Sequence, residues 1–380
     1  MRHATVVSAL LVSALSVACG GDGTGSASGA SSGGSGNGSG GDANAGGGGS
    51  GNGPGGCGIS TGYAGDDRCL APPAPGEGIQ IHVGPTDYTD SAEVAQFLMQ
   101  PGDESSECWT FHTPNMEKVY YQSFELSGRP GTHHIINTMY KTELEDGGFS
   151  ACKDPGVGLS GDILANLPGA SRPVILREPV APENEHIASE IPANTPSQAD
   201  MHYFNLTDQP ILREFWLNIY TVPESQVTEA SNQIRGMGGL SWNFTPIPPQ
   251  SHDTYQYTCP IPADGRVIEL IGHTHAHGIR ETAWIRHAGG DRTKVFEQFN
   301  YLEPQIFYYD TVTQNPAFSE REAGALTGQL PVVAGDSLDW ECEVNNDSDV
   351  ALRYTNEVKT GEMCNIWGQS VGPLINCVLQ

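Results

Sequence analysis

Positive charge is scarce in this sequence. Its 380 residues include 18 Lys and Arg against 45 Asp and Glu, which gives a formal net charge of −27. Phosphate backbones and anionic lipid headgroups bind basic surfaces, so this balance argues against nucleic acid or an anionic membrane surface as a partner. The same acidity is also compatible with plain solubility.

Long apolar runs and closely spaced cysteine pairs are also missing. No run of 18 or more apolar residues follows the N-terminal segment, so no transmembrane helix is expected. No CxxC is present, which argues against a zinc ribbon or a thioredoxin-like site. Helical periodicity is rare, and Ser91 to Gln100 is the best short candidate for a helix.

The first residues have the pattern of a targeting segment. A short basic start precedes an apolar stretch from Ala4 to Val17, which has the length of a signal h-region. The stretch ends in Leu15-Ser16-Val17-Ala18-Cys19, which resembles a bacterial lipobox although Ser16 stands where Leu is usual. We expect residues 1–19 to be a lipoprotein signal peptide and Cys19 to be lipidated; the alternative is ordinary cleavage near Ala18. Gly20 after the cysteine resembles the pattern that sorts lipoproteins to the outer membrane, so the expected location is the bacterial outer membrane or cell surface.

A tether follows. The 37 residues from Gly20 to Gly56 include 19 Gly and 7 Ser. This composition behaves as a random coil and cannot bury enough apolar surface to fold. We therefore assign residues 20–77 to a Gly/Ser-rich tether and a short segment that carries Cys57 and Cys69.

Cysteine number agrees with export. Of nine cysteines, eight remain once Cys19 is set aside, and an even number in an exported protein predicts four disulfides. Eight cysteines allow 105 pairings, so counting does not identify the partners.

The remaining sequence favours strands over helices. Segments such as Lys118 to Leu126 and Leu212 to Val222 alternate in polarity or are rich in β-branched and aromatic residues. Turn residues separate several such segments. We expect an all-β protein built from antiparallel β-sandwiches.

Histidines form clusters that suit metal binding. His273 and His275 are two residues apart, so on a strand both point to the same face and can reach one ion. His277 would share that face only if the strand continued that far. Gly278 is a candidate for its end, so His277 is expected either behind the ligands or in solvent. His133 and His134 are adjacent and point to opposite faces of a regular strand, so one ion can bind both only through a bend or through different ring nitrogens. Taken singly, each of these is better explained as a polar histidine or one at the edge of a core.

Four motifs along the chain carry a resemblance to a known family. They are Thr132-His-His134, Met201-His-Tyr203, His273-Thr-His275 and Glu362-Met-Cys-Asn365, and the intervening Ile247-Pro-Pro249, Gln305-Ile-Phe-Tyr308 and Gly335-Asp336 agree in order. The set resembles the copper type II, ascorbate-dependent monooxygenases, which include peptidylglycine α-hydroxylating monooxygenase and dopamine β-monooxygenase. The resemblance covers roughly residues 100–380.

The resemblance implies two consecutive antiparallel β-sandwich domains of jelly-roll type, at residues 78–223 and 224–380. It implies two copper ions. The first, electron-donating copper would be held by His133, His134 and His202, and the second, oxygen-activating copper by His273, His275 and Met363. Without the motif, Met363 would be read as a core methionine. The thioether of Met363 is a soft ligand that favours Cu(I), which agrees with a ligand role.

The resemblance also implies the disulfide partners. It pairs Cys342 with Cys364, Cys259 with Cys377 and Cys108 with Cys152, which leaves Cys57 for Cys69.

Two departures from the family bear on the substrate. Peptide-amidating members carry an Arg where this chain has Ile271, and a Tyr where it has Trp367, whereas Asn365 is kept. Ile271 cannot pair with a carboxylate, so a C-terminal glycine peptide is not the expected substrate. Together with Asn365, Ile271 and Trp367 are candidate substrate-binding residues that would form a more apolar wall; alternatively, Ile271 and Trp367 only pack.

The expected function is hydroxylation of a C–H bond in a small organic molecule by a monomeric enzyme that uses dioxygen, two coppers and ascorbate or another one-electron donor. Membrane attachment would occur only through the lipid on Cys19. Two alternatives stay open: a copper-binding lipoprotein without turnover, and a surface interaction module that retains only the fold.

Overall fold

The structure is a computed structural model. It describes residues 57–152, 181–238, 246–301, 304–318, 328–355 and 360–377, and the backbone of 162–168 and 176–177. The expected signal peptide, Cys19 and the Gly/Ser block lie outside the described residues.

The first half of the described chain is formed mainly by short strands. They are β1 (Gly78–Val83), β2 (Leu98–Met99), β3 (Glu104–His112), β4 (Val119–Gly128), β5 (Thr132–Met139), β6 (Phe149–Ser150), β7 (Asp162–Pro168), β8 (Leu176–Arg177), β9 (Ile187–Ile191), β10 (Pro196–Phe204), β11 (Ile211–Leu212) and β12 (Phe215–Val222). Strands β4 and β12 lie where the sequence predicts them.

The second half continues in the same way. Its strands are β13 (Glu229–Gly238), β14 (Ser251–Pro260), β15 (Gly265–Thr274), β16 (Gly278–Arg286), β17 (Arg292–Gln298), β18 (Ile306–Tyr308), β19 (Leu330–Val332), β20 (Ser337–Asn346), β21 (Cys364–Val371) and β22 (Ile375–Asn376). Short 3-10 turns occur at Asp66–Arg68, Pro182–Asn184 and Glu224–Gln226.

One large sheet runs through both halves. Its hydrogen-bonded order is β1-β12-β4-β9-β13-β21-β15-β18, with β8 beside β4, β22 beside β13 and β19 beside β15. The halves meet where β9 and β13 pair in parallel, at Ile187 with Glu229 and Ala188 with Ala230. The pairing of β9 with β13 connects the two parts of the sheet, because these strands are neighbours in its order. Most of the other strand pairings are antiparallel.

The first sandwich closes over the large sheet with a sheet ordered β6-β3-β10-β5-β7. Alternate side chains of the two sheets meet in one apolar core. Leu126 and Ile219 come from the large sheet, and Ile135 and Met201 come from the other, each with no exposed surface. Both faces of these strands are largely buried: seven of the eight positions of β5 and the first five positions of β12 are buried.

The second sandwich repeats this arrangement with the sheet β14-β20-β16-β17. Leu270 and Ile366 from the large sheet pack in the same core as Ile285, Leu338 and Trp340 from the facing sheet. The expectation of an all-β, sandwich-type fold is confirmed. Among the described residues no helix has the length and apolar character to cross a membrane.

Within the described residues a single α-helix, α1 (Ser91–Phe97), interrupts the strands. Asp90 accepts hydrogen bonds from the backbone N–H groups of Ala92 and Glu93, at 2.8 and 3.4 Å, which caps the first turn. Val94 and Phe97 face the core. The helix ends three residues before the predicted Gln100, because Leu98 and Met99 leave it to pair with β11.

Four disulfides join the chain, and their pairing confirms the expected one. The bridges are Cys57–Cys69, Cys108–Cys152, Cys259–Cys377 and Cys342–Cys364. The last two each join one sheet of the second sandwich to the other. Closing a loop of the size between Cys342 and Cys364 is worth about 3 kcal/mol in the chain-entropy model. Four disulfides fit an extracellular or periplasmic environment.

We expect the eight cysteines from Cys57 onward to give no free thiol in protein purified from an oxidising compartment. The measurement is thiol labelling of denatured, unreduced protein, with a reduced sample as the control that reveals all eight. Two or more labelled cysteines in the unreduced sample would contradict the pairing.

Candidate metal centre

Five histidines from four segments converge in one cluster. His133 and His134 lie on β5, His202 lies on β10, His273 lies near the end of β15, and His275 follows that strand. Ring centroids within the first three are 5.1 or 5.2 Å apart, and the His273 and His275 centroids are 5.2 Å apart. Imidazoles that share one ion at about 2.0 Å with near-tetrahedral angles have centroids roughly 5 Å apart. Each set therefore has the spacing of ligands to a common ion.

A β-bulge explains how adjacent histidines point the same way. Along the β5–β10 pair His202 lies opposite His134, but Tyr203 lies opposite Thr132, so His133 is an additional residue on β5. An additional residue bends the strand and turns its side chain away from the regular alternation. The bend that the sequence requires for both rings to reach one ion is present.

The turn before the bulge depends on Gly131. Its φ is +95°, and a Cβ there would collide with the Ile211 side chain and the Phe204 carbonyl. The same turn is held by the Phe204 N–H, which donates to the Gly131 carbonyl at 2.7 Å, and by the Thr132 hydroxyl, which donates to the Arg129 carbonyl at 2.6 Å. Close packing of backbone against backbone thus positions the first residues of β5.

The second set is positioned by the β15–β21 pair and the turn that follows it. His273 lies opposite Asn365, and Thr274 lies opposite Cys364. After Thr274 the chain turns through His275 and enters β16 at Gly278, whose N–H donates to the His275 carbonyl at 3.0 Å.

The two sets are in contact with each other. The His134 and His273 centroids are 5.4 Å apart, and His133 is 6.0 Å from His273 and 6.2 Å from His275. One ring nitrogen from each of His133, His134 and His273 can be chosen so that all three lie within 4.8 Å of one another. The two predicted sets of ligands therefore contact each other, whereas the sequence resemblance places them in two separate domains.

The cluster is buried and its nitrogens lack protein partners. The five side chains are between 0 and 3% exposed. Within the described part of the chain, both ring nitrogens of His133, His134 and His275 have no hydrogen-bond partner, nor have Nδ1 of His202 and Nε2 of His273. Buried polar atoms are nearly always paired, so a group of unpaired nitrogens aimed at one another fits a bound cation.

Burial and neighbouring rings lower the pKa values of four histidines in the cluster. Burial first, and then neighbouring histidines, lower the pKa of His202 to about 2 and that of His275 to about 3. The pKa values of His133 and His273 also lie well below the ordinary value, first because of burial and then because of the surrounding rings. Neutral imidazole is the form that ligates a metal.

Two carboxylates reach the first set from outside. Glu104 Oε1 lies 3.1 Å from Nε2 of His202, which leaves the unpaired Nδ1 of that ring for the cluster. Asp200 Oδ2 lies 3.7 Å from Nε2 of His134. A carboxylate behind a ligating imidazole fixes the ring orientation and raises its basicity. Glu104 also lines a cavity of about 320 Å³, together with Arg213.

A third carboxylate, that of Glu362, contacts the backbone of the second set. Its Oε1 accepts hydrogen bonds from the backbone N–H groups of His275 at 2.6 Å and Met363 at 2.9 Å, and its Oε2 accepts one from His277 at 3.1 Å. Burial raises its pKa to about 7 against the effect of these donors. The ring Nδ1 of His277 lies 3.6 Å from Asp347 Oδ1.

Met363 and Asn365 are buried neighbours. The amide of Asn365 donates to Sδ of Met363 at 3.5 Å, and the Tyr354 hydroxyl donates to Asn365 Oδ1 at 3.3 Å. Met363 is 7% exposed and Asn365 is fully buried. In this arrangement Asn365, a predicted substrate-binding residue, contacts the predicted ligand.

Ile271 and Trp367 are cross-strand partners on β15 and β21. They are 7% and 6% exposed. The indole ring of Trp367 lies 5.2 Å from the imidazole ring of His273 at an angle of 31°. Trp367, which is predicted to form part of an apolar wall, therefore packs directly on His273, a predicted ligand.

Two aromatic residues at the cluster are not singled out by the sequence motifs. Phe204 lies 4.7 Å from the His202 ring, and Tyr301 lies 6.2 Å from the His133 ring, measured between centroids. Phe204 is two residues after His202 on β10, so strand periodicity could have placed it on the same face. Nothing in the local sequence relates Tyr301 to β5.

Comparisons with known proteins give little. No family model matches the chain, and no curated protein matches it. One solved structure to which it is similar is that of the infectious bursal disease virus Gx strain; it is 12% identical over 73% of this chain and 79% of that chain, with a TM-score of 0.13. So low a score carries no argument about fold or function.

We expect the metal-free protein to lose stability as the pH falls below about 6.5, the usual histidine pKa. The folded-state pKa values are depressed, so between 6.5 and those values the unfolded chain binds protons that the folded chain does not. Each imidazole then lowers the free energy of unfolding by up to about 1.4 kcal/mol per pH unit.

Urea denaturation at pH 7.5, 6.5 and 5.5 in the presence of a chelator measures this effect. His202→Asn should reduce the pH slope, whereas His252→Asn, at a side chain that is 54% exposed, serves as the matched control. A slope that is identical in the parent and His202→Asn would show that this ring is not buried in its neutral form.

Proposed function

We propose that this protein is a copper-dependent monooxygenase, of the type that the sequence motifs resemble, and that it hydroxylates a C–H bond of a small organic substrate. The observation that carries the proposal is the convergence of five buried imidazoles whose ring nitrogens mostly have no partner among the described residues. Their order along the chain matches the resemblance, and Met363 lies on the segment next to His275.

The donor set fits copper. His133, His134 and His202 would hold one ion, and His273, His275 and Met363 would hold the other. Imidazole suits both Cu(I) and Cu(II), and a thioether is a soft ligand that favours Cu(I). Copper bound there would supply one-electron redox chemistry and activate dioxygen, with electrons from ascorbate or another one-electron donor.

The residues of the protein itself keep the imidazole rings away from water and fix their orientation. Desolvation by burial and the neighbouring rings lower the pKa values of His133 and His273 well below the ordinary value, so these imidazoles stay unprotonated at physiological pH. Glu104 fixes the ring of His202 from behind. Contact between the rings of His134 and His273 leaves a short path for an electron between the two sets.

Side chains around the second set support an apolar substrate. Ile271 and Trp367 lie side by side across β15 and β21, and neither offers a positive charge. A substrate that approaches His273 along this wall would be selected by shape and apolar contact. Ile271 does not offer a peptide carboxylate the ion pair that an Arg at position 271 would provide.

One observation favours a second function, copper binding without turnover. The five imidazoles are so completely buried that a substrate reaches them only if neighbouring side chains move. Storage or delivery of copper needs no such access. Consumption of oxygen that depends on both ascorbate and a substrate separates the two functions, because a binding protein would show copper uptake alone.

Attachment to a membrane is part of the same proposal. Lipidation of Cys19, followed by the Gly/Ser tether, would hold the folded part away from an outer-membrane or cell surface. Mass spectrometry of the mature N-terminus tests this directly, since ordinary cleavage near Ala18 would leave an unmodified cysteine.

We expect the tether-free protein to bind two copper ions per chain. The two histidine sets supply the ligands, and each has the centroid spacing of a shared ion. Titration with Cu(II), followed by metal analysis after gel filtration, measures the stoichiometry. Saturation at one ion would indicate that the five rings hold a single shared ion.

We expect Met363→Ala to abolish turnover without unfolding the protein. The Cys342–Cys364 and Cys259–Cys377 bridges still hold the region, while loss of the soft ligand weakens binding of Cu(I) at the His273 and His275 set. Ascorbate-dependent oxygen consumption should fall by orders of magnitude, and copper should remain at the other set.

Met116→Ala is the matched control for this variant, because Met116 is 84% exposed. A Met363→Ala protein with unchanged Cu(I) affinity and undiminished activity would refute the ligand role.

A further inference from the structure

We infer that Glu362 is a positioning residue for the second metal set, because a single buried carboxylate holds both ligand-bearing segments of that set together. The inference rests on the proposed function, since it assigns a role within that site. Glu362 acts through the backbones of His275 and Met363, whose N–H groups donate to it.

The carboxylate connects parts of the chain that are far apart in sequence. Its Oε1 accepts hydrogen bonds from the N–H groups of His275 and Met363. His275 is the first residue after β15, and Met363 is the last residue before β21. One oxygen atom therefore fixes the backbones of two predicted ligands relative to each other. Its Oε2 accepts from the N–H of His277 in the same turn.

The turn needs this acceptor. Between Thr274 and Gly278 the chain leaves the β15–β21 ladder and has not yet joined β20, so strand pairing does not supply acceptors for the His275 and His277 N–H groups. A carboxylate with two oxygens satisfies several converging donors at once. Glu362 is only 2% exposed, so water does not replace it.

Glutamine cannot reproduce the arrangement. Its side chain is nearly the same size, but one of its two terminal atoms is an NH₂ group, which donates and does not accept. If the NH₂ group replaces Oε1, it faces the N–H groups of His275 and Met363; if it replaces Oε2, it faces the N–H group of His277. In either case a donor faces a donor. This mismatch weakens and distorts the second set while leaving the first set intact.

The test compares the parent, Glu362→Gln and Glu343→Gln by Cu(II) titration with electron paramagnetic resonance. Glu343 is a matched control because it is a carboxylate on β20 that pairs with Arg280 and His252 outside the cluster. We expect Glu362→Gln to bind the first copper with the parent spectrum. The second copper should bind at least tenfold more weakly, with an altered hyperfine pattern. Glu343→Gln should match the parent in both.

The outcomes separate this inference from the proposed function. If the parent binds fewer than two coppers, the two-copper function fails whatever Glu362 does. If the parent binds two and Glu362→Gln binds both with parent affinity and spectrum, the positioning role is refuted. Equal weakening of both coppers also refutes it, because a general loss of structure would affect both sets alike.

Amide exchange in the parent protein covers the case in which Glu362→Gln does not fold. We expect the N–H groups of His275, His277 and Met363 to exchange at least a hundredfold more slowly than in an unstructured peptide, measured by NMR. Exchange of these amides at unprotected rates would overturn the inference without any variant.

Discussion

Burying five imidazoles in contact with one another is the constraint around which the rest of this structure is arranged. A neutral imidazole has one donor and one acceptor, and in the cluster most of these groups find no partner among the described residues. Such burial is unfavourable by itself, so the surrounding framework must hold the rings where they are. The continuous sheet through β9 and β13 and the covalent bridges between sheets supply that framework.

Local irregularities then aim the rings. The bulge at His133 places consecutive residues on one side of β5, and it follows a turn that only glycine permits at position 131. At the other set, the strand ends early enough for His275 to enter a turn, where a carboxylate holds the backbone. A regular strand would have aimed His133 and His134 to opposite faces. The cluster is thus produced by departures from regular structure on top of a regular scaffold.

Composition and strand patterning are sufficient to predict the all-β class, the helix near Ser91 and the presence of disulfides. The sequence leaves two alternatives at His133, a bend or binding through different ring nitrogens. It does not choose between them, because a bulge is a property of two strands in register and one strand's sequence does not contain it. Contact between the two histidine sets is not predictable in this way, because it depends on how the two sandwiches pack. The role of Glu362 is hidden for a related reason: its partners are backbone N–H groups, which leave no signature in the sequence.

The bridge between Cys342 and Cys364 has a consequence for the order in which the protein matures. Cys364 directly follows Met363, so the segment that carries the thioether is joined covalently to β20 only after oxidation. A reducing cytoplasm would leave this covalent link unmade. The final positioning of Met363 beside the histidine cluster is thereby coupled to passage into an oxidising compartment.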